Sequence, residues 1–112
     1  MTDDLLQPFA LDSLALPNRV VMTAVKLGCA TQAGEVTDQH LAFYVRRAQA
    51  GVGLIVTEPM YVQLNGRELP TQLGIHTDDH VAGLRRLTAA MHAVGGRISA
   101  HINHAGRVAN PM

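Results

Sequence analysis

Ser99, His101 and Asn103 stand at every second position of a segment whose intervening residues, Ile98, Ala100 and Ile102, are apolar. In an extended chain that alternation puts the polar groups on one face and the aliphatic groups on the other. An imidazole placed so can donate or accept a hydrogen bond to a ligand. The same pattern also fits a solvent-facing edge strand. His104 raises a metal reading, because imidazole is a common metal ligand. Residues three apart on a strand face opposite ways, and no carboxylate or thiol is near in sequence, so no metal site is expected. Gly51-Val52-Gly53 lacks the third glycine and the helix start of a dinucleotide fingerprint. Lys26-Leu27-Gly28-Cys29 is a poor phosphate loop, which argues against a small nucleotide-binding module. Cys29 is the one cysteine; alone it makes no intramolecular disulfide and holds no structural zinc or iron–sulfur cluster. A structural or incidental role is expected for it. His40, His76, His80 and His92 fall on predicted helices or loops and are expected at the surface or in helix caps.

The elements that must position these groups follow from periodicity. Phe9 to Leu11 and Leu14 to Leu16 flank the turn pair Asp12-Ser13, which predicts a hairpin before Pro17. Arg19 to Ala24 reads as a buried strand, followed by a glycine-containing loop. Thr37 offers an N-cap, and Leu41, Tyr44, Val45 and Ala48 form one helical stripe that Gly51 stops. Val52 to Thr57 is the continuous apolar run of a strand covered on both faces. Thr77 or Asp78 caps a second helix with Val81, Leu84, Thr88, Met91 and Val94 approximating its apolar face, ended by Gly95-Gly96. Arg97 to Asn103 is the third strand. Strand, helix, strand, helix, strand is the order of an α/β protein with a parallel sheet and right-handed crossovers. In such folds ligands sit at the C-terminal ends of the strands, the end toward which the polar residues of the third strand lead.

Composition narrows the function classes. The 112 residues are 47% hydrophobic, 16% charged and 4% aromatic, which suits one small domain and excludes a disordered tail. Nine basic residues balance nine acidic ones, so there is no net field to recruit nucleic acid or an anionic membrane. No apolar run approaches the roughly 20 residues that span a bilayer, and the acidic Met1-Thr2-Asp3-Asp4 start is unlike a signal peptide. A cytoplasmic location is expected. No internal repeat, low-complexity tract or linker divides the chain.

The segments Leu6-Gln7-Pro8-Phe9, Leu14 to Met22, Phe43 to Ala48, Gly53 to Glu58, Leu87 to His92 and Asn103-His104-Ala105-Gly106-Arg107 carry a further signal. In this order and spacing the sequence resembles the N-terminal third of the Old Yellow Enzyme family, NAD(P)H:flavin oxidoreductases that include 2,4-dienoyl-CoA reductases. The resemblance implies the first three β/α units of a TIM (β/α)8 barrel, with an N-terminal β-hairpin plugging its bottom and FMN at its C-terminal mouth. Residues 1–112 would be the N-terminal part of an FMN-binding barrel. A complete barrel takes around 250 residues, so this is an incomplete barrel whose remainder is expected from another chain, a further segment of the same chain, or another copy. An oligomer is expected, and the isolated chain is expected to be inactive. Substrate-anchoring residues, the FMN-phosphate site and any iron–sulfur cluster would lie in the remainder.

The resemblance also assigns residues. Thr23, Ala24, Val25 and Lys26 match the loop that touches the flavin ring, where Ala24, Val25 and Lys26 depart from the family's small-Pro-Met-Thr/Cys pattern. An ammonium from Lys26 aimed at the N5/O4 edge would favour the anionic reduced ring and raise its reduction potential; alternatively Lys26 points to solvent or pairs with Glu58. Pro59 takes the place of a small residue near the flavin edge, contributing a backbone contact, with Glu58 beside it at the mouth. His101 replaces a glutamine that bonds the pyrimidine end, and imidazole can make one such bond but not both of an amide's. His104 to Arg107 would shape the third loop, with Gly106 permitting a turn and Arg107 tying it down. The implied activity is hydride transfer from NAD(P)H through flavin N5 to an activated alkene such as an enone or enoyl thioester. A non-catalytic barrel fragment that needs a partner chain is the alternative, supported by the altered positions 24–26 and 101.

Overall fold

The computed structural model describes residues 2–110; Met1, Pro111 and Met112, at the limits of the expected domain, lie outside the described residues. The chain opens with a five-residue helix α1 (Thr2–Leu6), then the hairpin β1 (Phe9–Leu11) and β2 (Leu14–Leu16), paired antiparallel as expected. Asp12 takes φ 55°, a left-handed conformation that aspartate tolerates in a tight turn. Helix α1 has no apolar periodicity long enough to announce it. It is tied to the chain ahead through Leu5 C=O, which accepts the Arg19 N–H at 2.9 Å.

A three-stranded parallel sheet of order β3 (Val21–Met22), β4 (Leu54–Tyr61) and β5 (Ile98–Asn103) follows, with α2 (Asp38–Gln49) and α3 (Val81–Ala93) as crossovers. The first strand is shorter than the expected Arg19 to Ala24. Only Val21 and Met22 pair with β4, and the chain then leaves the ladder. The second begins two residues later than the expected Val52 and runs four beyond the expected Thr57, through Pro59. Its start is delayed because Gly51, at φ 102°, is still leaving α2. A β-bulge lets the strand continue past the proline, which has no N–H to give a ladder.

Both helices pack on one sheet face. Tyr44 from α2, Ile55 from β4, and Leu87 and Met91 from α3 are buried together, with Met22, Leu41 and Ile98 against them. The expected α3 face holds at Met91, fully buried, and in part at Leu84, Thr88 and Val94, but Val81 is exposed and Leu87 joins the buried stripe. A 3-10 turn (Asp78–His80) precedes α3. A second cluster, Ala30, Met60 and Leu73, closes the layer toward the strands' C-terminal ends. On the opposite sheet face the hairpin covers the strand starts, where Phe9, Leu11, Leu16 and Arg19 line a hollow with Val21 and Leu54. Arg97 anchors it by donating to the Ala15 carbonyl at 3.0 Å. Beyond the hairpin no element covers that face among the described residues, and Val21, in the hollow itself, is still nearly half exposed. Among the described residues the sheet does not close, and no helix is long and apolar enough to cross a membrane.

Candidate functional site

Parallel strands direct all three following loops, 23–37, 62–77 and 104–110, to one end of the sheet. The bulge in β4 decides what faces the open side there. Val56 pairs with Ser99 and Pro59 with His101, so Thr57 and Glu58 together oppose Ala100. The extra residue reverses the inside-outside alternation. Thr57 and Glu58 are both buried in the helix layer, and Pro59 comes level with the half-buried His101. Thr57 closes the gap in the ladder: its hydroxyl accepts the His101 N–H at 3.1 Å and donates to Glu58 C=O at 3.0 Å.

Glu58 therefore does not lie at the mouth or pair with Lys26. Its Oε1 accepts the Leu73 N–H at 3.0 Å and its Oε2 faces His40 Nε2 at 3.1 Å, both side chains being fully buried. The Tyr44 hydroxyl receives the Glu58 N–H at 2.8 Å, and burial, with the adjacent carboxylate, pushes the Tyr44 pKa up to about 12. Lys26 pairs instead with Glu68 of the next loop, both partly exposed.

His40 and His80 serve as caps, as expected, but are buried rather than at the surface. Each is the third helical residue of a Thr-x-x-His box: Nδ1 accepts the N–H of Thr37 at 2.9 Å or of Thr77 at 3.3 Å. This assigns the proton to Nε2, which donates to Glu58 from His40 and to Ala33 C=O from His80 at 2.8 Å. His76 packs beside His80, ring centroids 5.0 Å apart, and is held below its ordinary pKa by burial and by that neighbour. Cys29 is half-buried; burial raises its thiol pKa, and its carbonyl receives the Thr37 hydroxyl, in keeping with a structural role.

The loops are stitched to one another. Ala30 N–H meets Thr71 C=O at 3.0 Å, Gly74 N–H meets Gly34 C=O at 2.9 Å, and Ala105 N–H meets Gly66 C=O at 2.9 Å. Arg67, almost wholly buried, donates to Gln32 C=O at 3.0 Å. Gly66 lies so close to the His104 ring that a Cβ would sit 2.5 Å from Cδ2. His104 is thus committed to the loop, with Nδ1 accepting Gly106 N–H at 3.0 Å. Gly106 takes φ 58°, as its turn requires, whereas Arg107 is exposed and the tie expected of it is made by backbone bonds. Periodicity missed Thr57, Glu68 and the His40–Glu58 pair; the recurrence of Thr-x-x-His at 37–40 and 77–80 was the signal that could have found the last.

The surface left uncovered carries exposed Thr23 and Val25 after β3, and exposed Ser99 and half-buried His101 on β5. Such a surface suits a flat heterocycle with hydrogen-bonding margins. The model of the NADH:flavin oxidoreductase / NADH oxidase family matches residues 4–112. The chain belongs to this family. An NADH:acrylate oxidoreductase of Vibrio harveyi is 41% identical over 86% of the chain and 10% of its own length. Among solved structures, a 2-naphthoyl-CoA reductase in complex with 2-naphthoyl-CoA matches 99% of the chain at 28% identity and TM-score 0.93, over 17% of its own chain. An Old Yellow Enzyme from Pichia sp. AKU4542 matches 96% at 27% identity and TM-score 0.90, over 28% of its own. The family resemblance and the fold, the first three β/α units of a TIM barrel behind a hairpin, are thereby established. The chain spans between a tenth and a third of the curated NADH:flavin oxidoreductase relatives it matches.

Proposed function

We propose that this chain forms one side of an FMN site in an oxidoreductase that reduces an activated alkene, such as an enone or enoyl thioester, at the expense of NAD(P)H. The observation that carries the reading is the bulge, which brings Pro59 and His101 side by side at the C-terminal end of the sheet, facing the open side of a chain of this family. FMN bound there would supply the two-electron chemistry of hydride transfer between NAD(P)H and the alkene.

The chain's own residues hold and orient. His101 offers one hydrogen bond to the pyrimidine margin, and Pro59 a rigid backbone edge beside it. Thr23, Ala24, Val25 and Lys26 form the rim, and the ammonium of Lys26, shared with Glu68, sets a positive potential there that this carboxylate offsets. The remaining strands come from another chain, a further segment of this one, or another copy, and any iron–sulfur cluster belongs with them. They bring the alkene's anchors, so the 112 residues alone carry no turnover.

The deciding experiment is a visible absorption spectrum of the purified protein, with its mass measured on the same sample. Oxidised-flavin bands with mass beyond this chain are expected. A colourless sample that does not take up added FMN overturns the reading and favours a non-catalytic fragment.

A further inference from the structure

Among the described residues Glu58 is the most deeply buried carboxylate, and the proposed chemistry leaves it unused. Regular alternation from Ile55, which faces the helices, would place Glu58 on the open side and Pro59 among the helices. The bulge does the reverse. Three contacts favour that outcome: Leu73 N–H on Oε1, His40 Nε2 on Oε2, and the Tyr44 hydroxyl on the backbone N–H of Glu58 itself. They come from the loop after β4 and from two points on α2, so Glu58, by its carboxylate and its backbone N–H, ties that loop and α2 to β4 immediately before Pro59. Losing it would leave the buried Leu73 N–H and His40 Nε2–H without their acceptor and remove the energetic preference for the bulged register.

We infer that Glu58 is a positioning residue of the flavin site, holding the Thr57–Glu58 bulge, through His40 and Leu73, in the register that sets Pro59 and His101 against the ring. This rests on the flavin reading above. It has an electrostatic side as well. In the regular register the carboxylate would stand beside His101 on the open face, where negative charge opposes charge gained by the ring on reduction. Turning Glu58 outward thus both places the edge and removes an anion from it.

The chemistry of the pair supplies discriminating variants. Glu58→Gln keeps size but presents an NH2 to one of two donors, so either Leu73 or His40 loses its acceptor. His40→Gln keeps an acceptor for Thr37 N–H, as glutamine supplies in an ordinary capping box, and its NH2 keeps a donor for Glu58. His40→Met removes both. Each is made in the assembled, flavin-loaded protein and read by FMN affinity, by visible circular dichroism, and by the reduction potential of the bound flavin at saturating FMN. Leu87→Ala, which injures the same core without touching the bulge, reports what lost stability alone does.

Glu58→Gln and His40→Met are expected to weaken FMN binding at least tenfold and to shift both the dichroism and the potential, while His40→Gln and Leu87→Ala leave dichroism and potential in place. If Glu58→Gln fails to fold, the contrast between His40→Met and His40→Gln decides alone. Unmoved dichroism and potential in His40→Met, or equal movement in Leu87→Ala, overturns the inference. Absence of flavin from the unsubstituted protein overturns it together with the functional reading, and so separates the two failures.

Discussion

The hydroxyl of Thr57 accepts the backbone N–H of His101 at 3.1 Å, across a point where β4 and β5 have lost their regular pairing. One side-chain oxygen thus stands in for a missing backbone carbonyl and fixes the height of the residue proposed to meet the flavin. Thr57→Val preserves shape and deletes that acceptor. It is expected to cost about 1–3 kcal/mol of stability and to weaken FMN binding, whereas Thr57→Ser should retain most of both. Denaturant unfolding and FMN titration of the three proteins check this.

His101→Ala tests the contact itself. Removing the imidazole leaves the Thr57 bond, which uses only the backbone, so stability should change by less than about 1 kcal/mol while FMN affinity falls several-fold. Unchanged affinity would take His101 out of the site.

Lys26 and Glu68 divide the electrostatics of the rim. Both are partly exposed, so their pairing contributes little to stability. Its effect belongs to the ring. Glu68→Gln should free the ammonium and raise the flavin reduction potential, Lys26→Met should lower it, and both shifts should shrink at high salt. Spectroelectrochemical titration at two salt concentrations measures them.

Gly66 is a steric requirement rather than a conformational one. Alanine there would drive a methyl into the His104 ring and break the apposition of the second and third loops. Gly66→Ala is expected to destabilise by about 1–3 kcal/mol, and His104→Ala in the same chain should recover most of the loss, a coupling that a double-mutant cycle reads directly.

Tyr44 predicts an alkaline limit. Its folded pKa, raised to about 12 by burial, exceeds that of the unfolded chain, so the folded state keeps a proton that the unfolded state releases. The associated stability is complete below the unfolded value near 10 and is lost progressively as pH rises toward 12. Unfolding temperature should fall over that window. Tyr44→Phe should flatten the fall while lowering stability at neutral pH, since the Glu58 N–H loses its partner.

The hairpin, the order of elements, and the Tyr44 stripe were legible because each is a local pattern of apolar spacing. The strand limits were not. Whether the chain after Met22 pairs or leaves depends on what lies beside it, and the bulge at Thr57–Glu58 depends on partners at positions 40, 44, 73 and 101, far away in sequence. For the same reason Glu58 read as a mouth residue: the resemblance sets it beside Pro59 at the end of the strand, and a buried imidazole and amide turn it away. For Lys26, pairing with Glu58 was one alternative to the flavin edge or solvent; its actual partner, Glu68, sits in a loop whose path no periodicity describes.

The two Thr-x-x-His boxes reach in opposite directions along the chain. His40, at the start of the first crossover helix, bonds forward to Glu58 of the next strand, while His80, at the start of the second, bonds back to Ala33 in the preceding loop. Each β/α unit thereby holds a hydrogen bond that the other must surrender before it can open. The two units form a single cooperative block, and their amide protons should exchange with solvent together, not one unit ahead of the other.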